Sequence, residues 1–200
     1  MRFLAQTRGI SPARSKTLFA FARRIGYSVR DLRLLDQALT HRSLLNEARG
    51  GSRESATGAE SAGTLDLDNQ RLEYLGDSVL GLIVNEALYR RNPEFTEGQL
   101  ARIKSAVVSE TSRAPVGQGL GIGAVLAMGR GEASSGGADR PSNLADALEA
   151  VIAAIYLAPG LPAAPKFVLS ALQQVLPDFE DPPAAPGANS TPKEFVQPAT

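Results

Sequence analysis

The chain has 200 residues, 43% hydrophobic and 21% charged, a composition typical of a globular protein with one medium domain and tails. It contains no cysteine, which excludes a disulfide framework and a Cys-ligated zinc or iron–sulfur site and fits the reducing cytoplasm. The 21 basic and 21 acidic residues cancel, so the total charge does not indicate a nucleic-acid partner, and no apolar run reaches the roughly 18 residues of a membrane span.

The N-terminal part of the chain is basic. Residues 1–30 contain seven Lys and Arg side chains and no acid, which leaves a net charge of −7 on the remainder. This distribution favours a polyanionic partner held near a site that concentrates cations, although a solvated helix face explains the charges equally well. Ser11 as N-cap, Pro12 at the first helical position and Gly26 just past the end predict a helix here.

The composition divides the chain into four parts. We expect a basic, partly helical extension over 1–19 and a folded domain over 20–176. Small polar residues without periodicity predict a flexible loop insertion at 49–66. The segment 177–200 holds six of the 13 prolines and is predicted to be a disordered tail.

The remaining elements, in chain order, are all predicted to be helical or loops. They are a helix near Asp31–Leu39, a short segment at "THRSLLNE", a long helix at Asn69–Arg91, a capped helix from Thr96 to about Glu110, short broken helices over 111–129, a loop at "GRGEASSGGADRPS", and helices at "NLADALEAVIAAIYLA" and "LPAAPKFVLSALQQVL". No stretch alternates with period two, so the predicted fold class is all-α.

Two of these helices carry acid pairs among apolar residues. Glu73 and Asp77 are four apart, Asp146 and Glu149 are three apart, and each pair therefore shares a helix face. Four carboxylates brought together would repel unless a cation neutralised them, and Mg²⁺ is a hard cation that prefers oxygen ligands. His41 is the only histidine, so a multi-histidine zinc or di-iron site is excluded.

A structural explanation exists for each pair taken singly. Asn143 as N-cap with Asp146 at the third helical position would be a capping arrangement without a metal. Glu73 and Asp77 lie in the first turns of their helix, where the helix dipole favours acids. Spacing alone leaves both explanations open.

The segment "NQRLEYLGDSVLG", Asn69–Gly81, resembles the signature of the ribonuclease III family. Further stretches match in the order of the family: "LLDQALTHRSLLNE", "EGQLARIKSAVVS", "GRGEASSGG" and "NLADALEAVIAAIYL". The resemblance covers roughly residues 20–175 and implies the helical endonuclease-domain fold of that family. The double-stranded-RNA-binding domain that commonly follows is not recognised in the chain.

The resemblance implies specific roles. Glu73, Asp77, Asp146 and Glu149 fall on the metal-binding carboxylates, with Mg²⁺ as the expected cofactor and Mn²⁺ as a substitute, and Asp77 and Glu149 are the catalytic pair. Tyr74 falls on an aromatic residue of the dimer interface.

Three further positions are implied to lie around the metals or the RNA. These candidates, placed next to the metal ligands or next to the RNA, are Gln70, where the family usually has Glu, together with Glu97 and Glu132. For Glu97 and Glu132 an exposed surface acid is an equally good explanation.

The implied function is hydrolysis of double-stranded RNA by a homodimeric endoribonuclease. A two-metal-ion mechanism would yield 5′-phosphate and 3′-hydroxyl ends with short 3′ overhangs, in the maturation of ribosomal and other RNA precursors. The alternative is a non-catalytic RNA-binding or scaffold protein with the same fold, whose mark would be the loss of a metal carboxylate.

Overall fold

The structure is a computed structural model that describes residues 9–27, 31–51, 67–158, 163–173 and 175–176. Residues 1–8, the predicted insertion beyond 51 and the predicted tail from 177 lie outside the described residues. The described part is helical apart from an isolated parallel bridge between Thr40 and Ala127, which confirms the all-α prediction. No helix in this part is long and apolar enough to cross a membrane.

Nine α-helices follow one another along the described chain. They are α1 Pro12–Arg24, α2 Leu32–Ala38, α3 Arg42–Gly51, α4 Gln70–Arg91, α5 Glu97–Val107, α6 Glu110–Gly119, α7 Arg130–Ser134, α8 Pro141–Leu157 and α9 Ala163–Ala171, with a 3₁₀ turn at Gly137–Asp139.

The predicted signals of α1 all occur in the structure. The Ser11 hydroxyl accepts from the backbone N–H of Arg14 at 3.2 Å, Pro12 opens the helix and Gly26 has φ +69° just past its end. Leu18 and Phe21 are buried, so this helix belongs to the core.

The expected boundary between residues 19 and 20 falls inside α1. Arg14, in the first turn, donates from Nε to Asp36 at 2.7 Å and from its other nitrogens to the carbonyl oxygens of Leu39 and Val125. Residues 12–19 therefore pack with the helical domain. Arg14, one of the basic residues of the N-terminal segment, joins α1 to α2 and to the segment before α7.

The helix α8 lies at the centre of the fold. Its apolar residues from Leu144 to Ile155 are buried on all sides, as expected for a helix that is hydrophobic all round. Its most extensive packing is against α4 and α6. Glycines allow both approaches, because a Cβ at Gly76 would lie 1.9 Å from the Glu149 carbonyl oxygen and one at Gly117 would lie 2.7 Å from that of Leu144.

Two predicted boundaries differ from the structure. The helix from Thr96 ends at Val107 rather than near Glu110, because Ser109 caps the start of α6 with its hydroxyl. The segment predicted as a loop before α8 contains α7 and the 3₁₀ turn. This compact arrangement depends on contacts with α3, since Glu47 accepts from the backbone N–H of Arg130 at 2.6 Å.

Candidate metal centre and the polar cleft beside it

Three of the four predicted metal carboxylates meet in the structure. Glu73 comes from α4, and Asp146 and Glu149 come from α8; one carboxylate oxygen of each lies within 4.8 Å of the others. Glu149 is only 4% exposed, while Glu73 and Asp146 are partly buried. The two helices therefore bring negative charge together at a place with limited access to water.

The backbone packing of α4 and α8 creates this proximity. Gly76 lies one turn after Glu73, and its missing side chain lets α4 rest directly on the backbone of Glu149. A larger residue at position 76 would hold the helices apart and separate the carboxylates.

Burial disfavours the charged forms of the two partly buried acids. It raises the pKa of Glu73 above 4.5, and the nearby Asp146 charge adds to this effect. Burial likewise raises the pKa of Asp146 above 3.8, with a further contribution from Glu110. The charged forms of such acids are stabilised most when a cation binds to them.

The donor set fits a hard divalent cation. All three side chains offer oxygen, the ligand atom that Mg²⁺ and Mn²⁺ accept, and an open side of the cluster faces a polar cleft where water and substrate oxygens can enter. Glu73, Asp146 and Glu149 are therefore the residues that can hold such an ion.

Asp77 is not in the three-carboxylate group of the described residues. It follows Glu73 by one turn of α4 but is exposed. The four-residue spacing from Glu73 therefore does not bring the Asp77 side chain into the group formed by the other three carboxylates.

The capping explanation for Asp146 is wrong. Because α8 begins at Pro141, Asn143 is the third helical residue and not the N-cap. Its buried side-chain amide donates instead to Glu132 and to the carbonyl of Gly137, each at 2.9 Å. Glu73 does lie in the first turn of α4, so the dipole explanation still applies to it.

Glu132 lies beside the metal candidates but is held by other groups. It accepts hydrogen bonds from Asn143 at 2.9 Å and from Arg140 at 2.5 Å. The hydrogen bond from Asn143 is the largest cause that lowers the pKa of Glu132, and the positive charge of Arg140 lowers it further. Glu132 is therefore a charged residue that joins α7 to α8.

A polar cleft of about 510 Å³ adjoins the carboxylates. It is lined by side chains that can donate or accept hydrogen bonds: His41, Arg42, Ser43, Asn46, Asn69, Gln70, Glu73, Glu132, Arg140, Ser142, Asn143 and Asp146. Gln70 and Glu132 are thus beside the candidate centre. Glu97 is exposed at the first position of α5 and is not among these residues.

His41 is fixed at the edge of this cleft. Its Nδ1 lies 2.8 Å from the Ser43 hydroxyl and accepts from the Ser43 backbone N–H at 3.3 Å, so Nε2 carries the proton in the neutral ring. Burial lowers the pKa of His41, which favours that neutral form. The Ser43 hydroxyl also accepts from the N–H of Gly129 at 2.9 Å, which joins α3 to the start of α7.

Arg113 is a functional candidate that the sequence analysis missed. Its guanidinium reaches from α6 to form an ion pair with Glu149. Nothing in "SETSRAPVG" signals this contact, because it arises only when α6 packs on α8.

Tyr74 projects from α4 on a different side from Glu73 and is 81% exposed. Leu82 and Tyr89 on the same helix are also largely exposed, at 65% and 73%. The three residues lie on one side of α4. At about 100° per residue, Leu82 lies about 80° round the helix from Tyr74, and Tyr89 lies about 20° from Leu82.

A family model described as ribonuclease-III-like matches residues 31–176. Ribonuclease 3 of Heliobacterium modesticaldum is 44% identical over 177 residues, which are 88% of this chain and 69% of that protein. Ribonuclease 3 of Streptomyces coelicolor is 47% identical over 145 residues, which are 72% and 47% respectively. The chain thus spans between about half and two thirds of the length of these curated relatives.

Two solved structures are similar to this fold. The nuclease domain of ribonuclease III from Campylobacter jejuni superposes with a TM-score of 0.68 at 32% identity, covering 82% of this chain and 99% of that one. A second structure of that nuclease domain, described for flexibility in the region involved in dimer formation, has a TM-score of 0.66 at 33% identity and covers 78% and 96%.

Proposed function

The chain belongs to the ribonuclease III family, and on that premise we propose that it is a metal-dependent endonuclease that hydrolyses phosphodiester bonds of double-stranded RNA. One observation carries the proposal: three carboxylates from two helices lie within 4.8 Å of one another beside a polar cleft. A binding protein has no need for such a cluster, in which three carboxylates face the single positive charge of Arg113.

Glu73, Asp146 and Glu149 would hold the first divalent ion, with Mg²⁺ as cofactor and Mn²⁺ as substitute. Asp77 stays in the proposed set, and with Glu149 in the catalytic pair, because its exposed position one turn along α4 suits an ion that arrives with substrate phosphate. When bound, the ions supply Lewis-acid chemistry that favours ionisation of a water molecule and neutralises the leaving oxygen.

The residues of the cleft would position the duplex. Arg42, Asn46 and Gln70 offer donors to phosphate and 2′-hydroxyl oxygens, and the neutral His41 offers its Nε2–H. Such contacts read the shape of the duplex rather than its bases. The expected products have 5′-phosphate and 3′-hydroxyl ends with short 3′ overhangs.

The working unit would be a homodimer. The exposed apolar side of α4, with Tyr74, Leu82 and Tyr89, is a surface that a second copy of this chain would cover. A two-fold axis there would place two metal centres along one duplex, each cutting one strand. Precursors of ribosomal and other structured RNAs in the cytoplasm are the proposed substrates.

The test uses purified protein and end-labelled duplex RNA, with and without Mg²⁺. We expect Mg²⁺-dependent cleavage of the duplex and no cleavage of a single strand of the same sequence. Duplex binding without cleavage in Mg²⁺ or Mn²⁺ would support a non-catalytic RNA-binding protein instead.

A further inference from the structure

A positive side chain already occupies the candidate metal centre. Arg113 of α6 pairs with Glu149, and the two side chains are 14% and 5% exposed. The Nε of Arg113 also donates to the carbonyl of Ser109 at 3.4 Å, which fixes the base of the side chain on its own helix. An arginine this enclosed at a cation site needs an explanation.

The charge of Arg113 acts on all three carboxylates. Besides pairing with Glu149, it opposes the burial effect that raises the pKa of Glu73 and Asp146. Arginine does not lose its proton in proteins, so this compensation is present at every accessible pH. Arg113 can therefore leave the cluster only by moving.

Arg113 has a second carboxylate nearby besides that of Glu149. Glu149 Oε1 is buried, and its ion pair with Arg113 joins α8 to α6. Glu110 lies three residues before Arg113 on α6, a spacing that makes the two side chains neighbours on the helix surface. Glu110 thus offers Arg113 a second carboxylate when the first is taken.

We propose that Arg113 is a built-in counter-ion that competes with the divalent metal for Glu149, keeps the metal-free centre folded, and turns away from Glu149 when the metal binds. The inference rests on the metal site of the proposed function. Arg113 lowers the affinity of the centre for the metal, so Mg²⁺ occupies the centre only at higher concentration.

The experiment measures Mn²⁺ binding by calorimetry or electron paramagnetic resonance in the absence of RNA. Arg113→Gln should bind Mn²⁺ about tenfold more tightly than wild type, equivalent to roughly 1.4 kcal/mol. Arg113→Lys keeps the charge and should stay near wild type. The matched control is Arg102→Gln, because Arg102 also donates from Nε to the carbonyl four residues earlier, that of Gly98, but is exposed on α5.

Unchanged or weaker Mn²⁺ binding by Arg113→Gln would overturn the inference, as would an equal gain in Arg102→Gln. If Arg113→Gln does not fold without metal, NMR of the wild-type protein tests the proposal instead. The side-chain Nε–H resonance of Arg113 should shift as Mg²⁺ saturates the protein, and a resonance that does not move would overturn the proposal. If Arg113→Gln binds Mn²⁺ more tightly as expected but the wild type does not cleave duplex RNA, the proposed function is wrong and the inference about Arg113 is still supported.

Discussion

Acidic side chains of the same type take different roles around the cleft because their surroundings differ. Glu132 has hydrogen-bond donors on Asn143 and Arg140, which stabilise its charge without a metal. Glu73 and Asp146 are partly buried and lie next to other acids, so their charged forms are disfavoured. Burial and neighbouring groups, rather than residue type, separate the acid whose charge is stabilised from those whose charge is disfavoured.

The raised pKa values predict how pH affects the metal-free protein. Between the ordinary pKa of Asp146 and its higher value in the folded state, the folded protein binds more protons than the unfolded one. Stability from this group is therefore lost as pH rises through that window. Asp146→Asn removes this loss. The free energy of unfolding of the variant should therefore rise relative to that of wild type from about pH 4 toward neutrality.

Urea unfolding in a chelator, at several pH values, checks this prediction. The difference in free energy of unfolding between Asp146→Asn and wild type should be near zero at the acid end and should grow as pH rises. A difference that stays constant with pH would show that burial and the nearby Glu110 do not disfavour the charged form of Asp146 in the metal-free protein.

At the scale of elements, the metal centre depends on how closely α4 approaches α8. Gly76 permits the contact with the backbone of Glu149, whereas Gly81, on the same helix, has Lys104 as its nearest neighbour at an ordinary 3.8 Å. Two glycines of one helix thus differ in what an added methyl group would meet.

Gly76→Ala should lower the free energy of unfolding by about 1–3 kcal/mol, because a backbone atom of α8 blocks the new Cβ. Gly81→Ala, the matched control, should be neutral or stabilising by up to about 1 kcal/mol, since alanine favours the helix. Denaturant unfolding of both variants measures this. Equal effects would contradict the close helix contact.

The type of most elements is predictable from sequence, with α7 as an exception, whereas most contacts between elements are not. The caps of α1 and α5 are local, so Ser11 and Thr96 were identified from their spacing. The alternative that made Asn143 an N-cap is wrong because α8 begins two residues earlier and the partner of Asn143, Glu132, lies on another element. Arg113 was missed for the same reason, since its partner is on α8.

The metal set shows the same limit. Four carboxylates were predicted from two helix faces and a family resemblance, and the structure brings three of them together. Helical spacing places Asp77 on the face of Glu73 only to within a fraction of a turn. The exact rotation of α4 against α8, which spacing does not give, decides which side chain enters the cluster.

At the scale of the molecule, two sides of α4 have different surroundings. One side packs on α8 and supplies Glu73, and the other exposes Tyr74, Leu82 and Tyr89. Over 15 residues these three side chains span about 22 Å of helix. Large exposed apolar side chains spread along one helix in this way are the observation that supports the proposed interface between two copies of the chain.

Tyr74→Ala should weaken self-association, because a two-fold interface contains the contact twice and loss of an aromatic side chain costs several kcal/mol. Sedimentation across a dilution series should show a dimer for wild type and a shift toward monomer for the variant. Phe19→Ala removes a partly exposed aromatic of α1 and serves as control. A wild type that is monomeric and fully active at every concentration would contradict the dimer.

The most direct test of the central claim is the rate of duplex RNA cleavage by Glu149→Gln in excess Mg²⁺, with duplex binding measured on the same samples. The substitution keeps the shape of the side chain and removes the charge, while Glu94→Gln, at an exposed position after the end of α4, controls for loss of a surface carboxylate. We predict that Glu149→Gln slows cleavage on the order of a thousandfold and still binds the duplex, and that Glu94→Gln cleaves normally. Cleavage by Glu149→Gln at the wild-type rate would contradict a metal centre built on these carboxylates.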